Sequence, residues 1–265
     1  MTASFRPGWL AALPGFAKRF GSIIVLLIVW EALGQMEMVD PFLLPALSEV
    51  LARAVPEFWS EGLGDLVLIT LYRTVASFLI AGVIGVAIGV GMAVSGGVRW
   101  FCEPIVSFAF PIPKIAFLPI FVLWFGFFDT SKILMSAVAC VVTIISATYL
   151  GARGVDKYLL WSARSLGTNE HKLFWAVIIP AALPAIITGL QIAFPICLIV
   201  SIVAEMATGG QGLGGYMIYA QRFGESDKMY LGIICTGVIG YVLIEGFGWL
   251  RRRLLSWHTE SVMTV

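Results

Sequence analysis

Long apolar runs separated by short polar and basic connections dominate the pattern along the chain. A helix needs about 20 mostly apolar residues to cross the hydrocarbon core of a bilayer, and the pattern predicts six such spans. The first is Phe20 to about Met36, the second about Leu66 to Val94, and the third Pro104 to Phe128, interrupted by Pro111, Pro113 and Pro119. The fourth is Ile133 to about Arg153, the fifth Leu183 to Ala207, entered from a shorter helix starting near Lys172, and the sixth Met229 to Leu250. The expected architecture is an all-α integral membrane protein: an N-terminal tail over 1–19, a transmembrane domain over 20–257 and a C-terminal tail over 258–265.

The connections set the orientation, because Lys and Arg concentrate in cytoplasmic loops. With the amino terminus inside, the inner set is Arg6, Lys18, Arg19, Arg99, Arg153, Lys157, Arg164, Lys172, Arg251, Arg252 and Arg253. The outer set is only Arg53, Lys132, Arg222 and Lys228. Both termini are then expected in the cytoplasm, with the acidic stretch 37–65 and the Gly-rich loop 208–228 outside. Within the outer stretch, Ser48 is expected to cap a short surface helix over Glu49–Ala54. No cleavable signal-peptide pattern is visible: the basic start runs into an apolar stretch too long for an h-region, so the first run reads as a retained span. Gly82, Gly85, Gly89 and Gly91 gather in the second span. Gly85 and Gly89 form a small-xxx-small face that fits close helix packing within the subunit or a dimer seam.

Composition agrees with the pattern. Hydrophobic residues make up 59% of the chain and charged residues 12%, half the charge a soluble domain carries. The mean hydropathy is +0.94. A net charge of +1 argues against nucleic acid as a partner, since phosphate binding needs a basic patch. Cys102, Cys140, Cys197 and Cys235 lie scattered in apolar stretches without CxxC spacing, so they read as small buried residues rather than disulfides or a metal site. His171 and His258 have no ligand-type neighbours at metal spacing and read as solvated side chains.

No GxxxxGK[ST] phosphate loop occurs. The run Gly209-Gly210-Gln211-Gly212-Leu213-Gly214-Gly215 lacks the lysine and reads as a turn. No nucleophile is paired with a base. The chain is therefore not expected to be an enzyme, and the energy for any transport must come from another subunit or an ion gradient. Two other readings stay open at this level: an ion-driven secondary transporter, which predicts inverted repeats that are not seen, and a membrane scaffold without transport.

The connection between the fourth and fifth spans (154–184) carries the most informative constellation. It reads Trp161-Ser162-Ala163-Arg164-Ser165-Leu166-Gly167, then nine residues, then Val177-Ile178-Ile179-Pro180. A short helix over about Val155–Leu166, ended by Gly167 in a left-handed cap, makes a rigid knob on which a soluble partner can push. The small residues Ser162 and Ala163 let such a knob sit deep in a groove. The stretch resembles the coupling loop of ABC importer permeases: Glu-Ala-Ala, three residues, Gly, nine residues, Ile, any residue, Leu, Pro. Ala163, Gly167 and Pro180 match, and Val177 and Ile179 are conservative. The family's Glu position is Trp161 and its first Ala is Ser162. Pro111-Ile112-Pro113-Lys114-Ile115-Ala116-Phe117-Leu118-Pro119, Leu123-Trp124-Phe125-Gly126, Thr130-Ser131-Lys132-Ile133, Leu44-Pro45, Ser48-Glu49-Val50-Leu51 and Gly212-Leu213-Gly214 after Ala204-Glu205 are similar to the nitrate/sulfonate/taurine branch, over roughly residues 23–258.

The resemblance implies the type I ABC importer permease fold and a multi-pass protein of the bacterial cytoplasmic membrane. It implies two cytoplasmic ATPase subunits holding ATP and Mg, a homodimer or a pair of related permeases, and an external solute-binding protein, with no cofactor on this chain. The branch takes nitrate, sulfonates, taurine and related anions, and also pyrimidine-type vitamin precursors.

Ionisable residues inside spans are candidates for function, because each costs at least ~2.5 kcal/mol at the bilayer centre. Lys114, in the proline-broken third span, is expected to attract an anionic solute along a polar path, to pair with Glu103 or Glu205, or to sit near the membrane interface. Arg73 is expected to snorkel outward or to pair with Glu205, and Glu205 to belong to such a pair or to the path. Pro111 and Pro113 mark the path or its gate. Glu31 and Glu245 are expected to pair or reach the interface, Asp129 to cap the fourth span, and Arg251-Arg252-Arg253 to face anionic headgroups.

Overall fold

The computed structural model describes residues 15–255, with the side chains of 15–19 left aside. Arg6, His258 and the tail 258–265 lie outside the described residues, as do the side chains of Lys18 and Arg19. Among the described residues every regular element is helical: α1 (Gly15–Gln35), α2 (Leu47–Trp59), α3 (Leu63–Val94), α4 (Gly96–Ala109), α5 (Leu118–Phe125), α6 (Asp129–Arg153), α7 (Lys157–Ser165), α8 (Glu170–Leu173), α9 (Ile179–Thr208), α10 (Leu213–Phe223) and α11 (Ser226–Leu254). A 3₁₀ turn over Lys114–Phe117 leads into α5, and a π turn over Phe174–Ile178 joins α8 to α9.

Four stretches are long and apolar enough to cross a membrane: Leu63–Val94, Asp129–Arg153, Glu170–Thr208 and Ser226–Leu254. These are the second, fourth, fifth and sixth expected spans, each extended beyond its expected limits. The third is not straight. α4 and the Lys114–Phe125 stretch meet at 96°, and the bend falls on Pro111 and Pro113, whose rings remove backbone donors. α4 begins eight residues earlier than expected, where the Ser95 side chain accepts the Val98 N–H. The first expected span is a shorter apolar helix, Phe20–Gln35.

α6 lies between α3 and α9 and packs along both. Ala81, Ala137, Cys140, Ile144, Ala193 and Cys197 meet there, so two of the scattered cysteines serve as small core residues. The Gly85 and Gly89 face packs inside the subunit: a Cβ at Gly85 would lie 2.8 Å from Ile144, and one at Gly89 2.6 Å from Thr148. Only glycine allows α3 to approach α6 this closely.

α2 is longer than the helix expected over Glu49–Ala54 and starts one residue before Ser48. Its first position outside the helix is Ala46, and Ser48 does not cap it. The Ser48 N–H instead donates to Glu31 and its hydroxyl accepts from Gln35, stapling α2 to the end of α1. Glu31 thus pairs locally, as expected near a span end.

Candidate functional site

Two constellations sit at opposite ends of the bundle. At the end formed by the α5–α6 connection, the start of α3 and the α9–α10 connection, Arg73, Glu205 and Asp129 form a charge knot. Arg73 is 3% exposed and Glu205 is fully buried. Arg73 Nη1 donates to Glu205 Oε1 at 2.7 Å and to the Gln211 carbonyl at 2.6 Å. Its Nε and Nη2 donate to Asp129 Oδ1 at 3.0 and 2.6 Å. Glu205 also accepts from the Thr70 hydroxyl and the Gly214 N–H. The Leu213 N–H donates back to Thr70 Oγ1. Burying such charges is tolerable only when each is paired and hydrogen-bonded, and both buried members here are.

The knot ties α3, α6 and α9 to the Gly-rich connection at Gln211 and to the first turn of α10 at Leu213 and Gly214. Of the two readings open for Arg73, pairing holds and outward snorkelling does not. Asp129 is not a cap: the residue before α6 is Phe128, no side chain caps the helix, and the Asp129 carboxylate turns to Arg73. A strong partner elsewhere in the fold outweighs a local cap. Lys132, one turn along, is also buried and donates to the Phe127 carbonyl at 3.2 Å.

A second ionic group on this end holds α2 and the α2–α3 corner against α10 and α11. Lys228 reaches Glu57 and Glu61, each at 3.1 Å, and Glu225 at 3.5 Å. Arg53 pairs with Asp227 at 2.8 Å, and the Tyr216 hydroxyl donates to Glu57. The Lys228 hydrogen bond holds the Glu61 carboxyl below the usual carboxylate range.

Lys114 lies in the first turn after the break. It pairs with neither Glu103 nor Glu205. Its ammonium donates to the Phe110 carbonyl at 2.7 Å, one of the acceptors the proline break leaves free, and lies 5.6 Å from the Phe110 ring centre. It borders a groove of about 570 Å³ between α4 and α6, otherwise apolar, with Ile105, Phe108, Phe121 and Val142 on its walls. Pro111 and Pro113 form the bend above it, and Lys114 is remote from the Arg73 knot in bonding.

At the opposite end the 154–184 connection builds a projecting hairpin. Asp156 caps α7 through the Tyr158 N–H, and Asn169 caps α8 through the Lys172 N–H. Gly167 takes φ +79°. The Gly167 N–H donates to the Arg164 carbonyl and the Thr168 N–H to the Ala163 carbonyl, the paired bonds of a Schellman cap. Arg164 clamps the start of α8 through both Glu170 oxygens, at 2.9 and 3.2 Å. Trp161, Ser162, Arg164, Ser165, Leu166 and Gly167 are exposed, whereas Ala163 is half-buried and faces the chain. Of the two small residues, Ser162 is therefore on the outer face and Ala163 is not. Pro180 has no N–H to close an α-turn, and the wider π turn runs up to it. His171 is exposed. Arg251 reaches Gln191 at 3.1 Å and Arg253 stacks on Trp249.

Thr70, the Gln211 carbonyl and the Gly214 N–H are the knot members that sequence reading missed. Depth offered a signal: Arg73, Asp129 and Glu205 are ionisable residues near the same end of three different apolar runs. Among the described residues no group of three or more His, Cys, Asp or Glu side chains is placed to hold a metal ion.

The chain resembles known proteins along most of its length. Residues 81–256 match the family model "Binding-protein-dependent transport system inner membrane component". It is 32% identical to the taurine transport system permease protein TauC of Escherichia coli K12, covering 91% of this chain and 89% of that protein. It is 30% identical to the putative aliphatic sulfonates transport permease protein SsuC of Bacillus subtilis 168, covering 89% and 86%. In three dimensions it resembles a chain of the inward-facing MetNI methionine ABC transporter, with a TM-score of 0.65 at 20% identity over 75% of this chain and 98% of that one. An apolar helical bundle with these matches is a multi-pass membrane protein, and the chain belongs to the family of binding-protein-dependent transport system inner membrane components, the permease subunits of ABC importers.

Proposed function

We propose that the chain forms, with a second copy of itself, the translocation path for a small anionic organic solute of the sulfonate kind. The relatives named for taurine and aliphatic sulfonate transport support that solute class. A lysine at the mouth of an otherwise apolar groove supports it as well. The path runs past the break at Pro111 and Pro113, where Lys114 offers the positive charge, and the Arg73–Glu205 knot keeps its outer end in register. α1 and the α4–α5 pair complete six spans, and both termini face the cytoplasm, as the distribution of Lys and Arg favours.

Two ATPase subunits carrying ATP and Mg dock on α7 from the cytoplasm, and an external binding protein delivers the solute. Closure of the ATPases moves the two α7 hairpins and opens the path outward; hydrolysis returns it. The observation that carries this reading is the α7 hairpin, fixed by two N-terminal caps, a Schellman cap and the Arg164–Glu170 clamp, with Trp161 to Gly167 at its tip and Pro180 at the root of α9. The test is affinity purification in mild detergent with mass spectrometry. A P-loop ATPase that copurifies with the wild type, and is lost with Ser162→Arg on the exposed face, supports the reading. A chain that purifies alone and moves solute in liposomes under an ion gradient refutes it.

A further inference from the structure

The centre of the outer face of α7 carries no charge; Lys157, exposed and one turn before Trp161, lies at its edge. Residues 158, 161, 162 and 165 share it by helical spacing. Tyr158 is 74% and Trp161 57% exposed, and their rings meet edge to face at 5.6 Å and 86°. Ser162 and Ser165 flank the pair and are also exposed. The inward face is Leu160 and Ala163, both half-buried. Arg164 turns aside to Glu170. Position 161 is where the resembled pattern has a carboxylate, so the tip of this hairpin differs from that pattern in kind, not in degree. A glutamate there would seek a cation; an indole braced by a tyrosine seeks an apolar slot.

We propose that the Tyr158–Trp161 pair is the anchor by which this permease selects its own ATPase, and that the facing socket on the ATPase is apolar and uncharged rather than basic. The inference rests on the docking role of α7 proposed above and adds the chemistry of the contact. Exposed aromatic pairs of this kind dominate interfaces because they bury large area at little entropic cost. The small serines on either side let the socket close around the rings. Asp156 and Glu170 stand beside Lys157, Arg164 and Lys172 in the hairpin, and this mixed charge suits a protein groove better than an anionic membrane surface, which favours basic residues alone. The socket also discriminates: an ATPase whose groove offers a cation to the family carboxylate would bury that cation unpaired against Trp161, at a cost in affinity.

The test measures the affinity of the permease, in nanodiscs, for the ATPase that copurifies with it. Wild type is compared with Trp161→Phe, Trp161→Glu, Tyr158→Ala and Ser162→Arg at low and high salt. Each position is exposed, and unchanged gel-filtration profiles check the fold. The expected result is near-wild-type binding for Trp161→Phe, with binding weakened about tenfold or more for Trp161→Glu and Tyr158→Ala and little salt dependence. If Trp161→Glu binds as well as wild type or better, with affinity falling as salt rises, the socket is basic and the inference is overturned. If Ser162→Arg abolishes binding while Trp161→Glu and Tyr158→Ala do not, α7 docks but the aromatic pair is not its anchor. If none of the variants weakens binding, the docking role itself falls too. A spin label on Tyr158→Cys, in nanodiscs without ATPase, that is relaxed by lipid-soluble but not by water-soluble reagents would place the rings in the membrane and overturn the inference as well.

Discussion

Arg73 and Glu205 lie 132 residues apart in the chain and meet at 2.7 Å with essentially no exposure of either side chain. Removing one partner of a buried pair leaves an uncompensated charge, which costs about 3–5 kcal/mol, whereas replacing both by apolar residues is often neutral. Arg73→Met is therefore expected to lower the unfolding midpoint in detergent sharply, and Arg73→Met with Glu205→Leu to recover much of the loss. A double variant as unstable as the single one would show that the knot is held by Thr70, Gln211 and Gly214 more than by the pair.

Asp129 touches the same guanidinium but is about half exposed. Solvent screens such a pair, and its worth falls to about 1 kcal/mol or less. Asp129→Asn is expected to shift the midpoint far less than Arg73→Met does. An equal loss from the two variants would show that Asp129 is buried in the working assembly, which the same variant would then reveal by a dependence on permease concentration.

The difference between these residues also marks how far the sequence could be read. The apolar runs of α3, α6, α9 and α11 were legible because length and hydropathy alone decide them, and the break before Lys114 was legible because proline acts on its own backbone. Gly167 was legible for the same reason, its cap being local. Asp129 and Ser48 were misread as caps, since capping preference is a short-range rule and their partners, Arg73 and the Glu31–Gln35 turn, lie in other helices. The inward turn of Ala163 and the outward turn of Trp161 depend on where α7 leaves α6, which no local pattern fixes.

The close approach of α3 to α6 gives a graded prediction. A Cβ at Gly89 would meet Thr148 at 2.6 Å, while one at Gly82 would meet only the end of Leu190 at an ordinary 3.5 Å. Overpacking a filled helix interface costs about 1–3 kcal/mol. Gly89→Ala is expected to reduce the unfolding midpoint and the yield of monodisperse protein, and Gly82→Ala to leave both near wild type. Equal tolerance at the two positions would mean that α3 and α6 are able to separate without loss.

The Lys228 cluster predicts sensitivity to acid. The hydrogen bond from Lys228 lowers the Glu61 carboxyl below its ordinary value of 4.5. The folded state thus binds the Glu61 proton less readily than the unfolded chain. The stabilisation is full above about pH 4.5 and is lost as pH falls through the lower folded value. Lys228→Met removes the largest cause, so the gap in unfolding midpoint between wild type and variant is expected to narrow on acidification through this range. A gap that stays constant with pH would assign the effect of Lys228 to packing instead.

The proposed coupling role of the 154–184 loop is tested most directly at Gly167. Its φ of +79° costs a residue with a Cβ about 1–2 kcal/mol, and more for a β-branched one. Gly167→Val is expected to undo the Ala163–Thr168 and Arg164–Gly167 bonds and to let the α7 tip swing relative to α9. The spans themselves are untouched, so folding should survive while solute uptake falls and ATP hydrolysis by the associated ATPase continues without it. Gly167→Asn, which accepts left-handed backbone more readily, should keep most of the uptake. Measuring uptake and hydrolysis together in proteoliposomes separates the outcomes. Loss of uptake with retained hydrolysis in the Val variant, rescued by Asn, makes the cap a mechanical link. Wild-type uptake in the Val variant would remove the 154–184 loop from the coupling path.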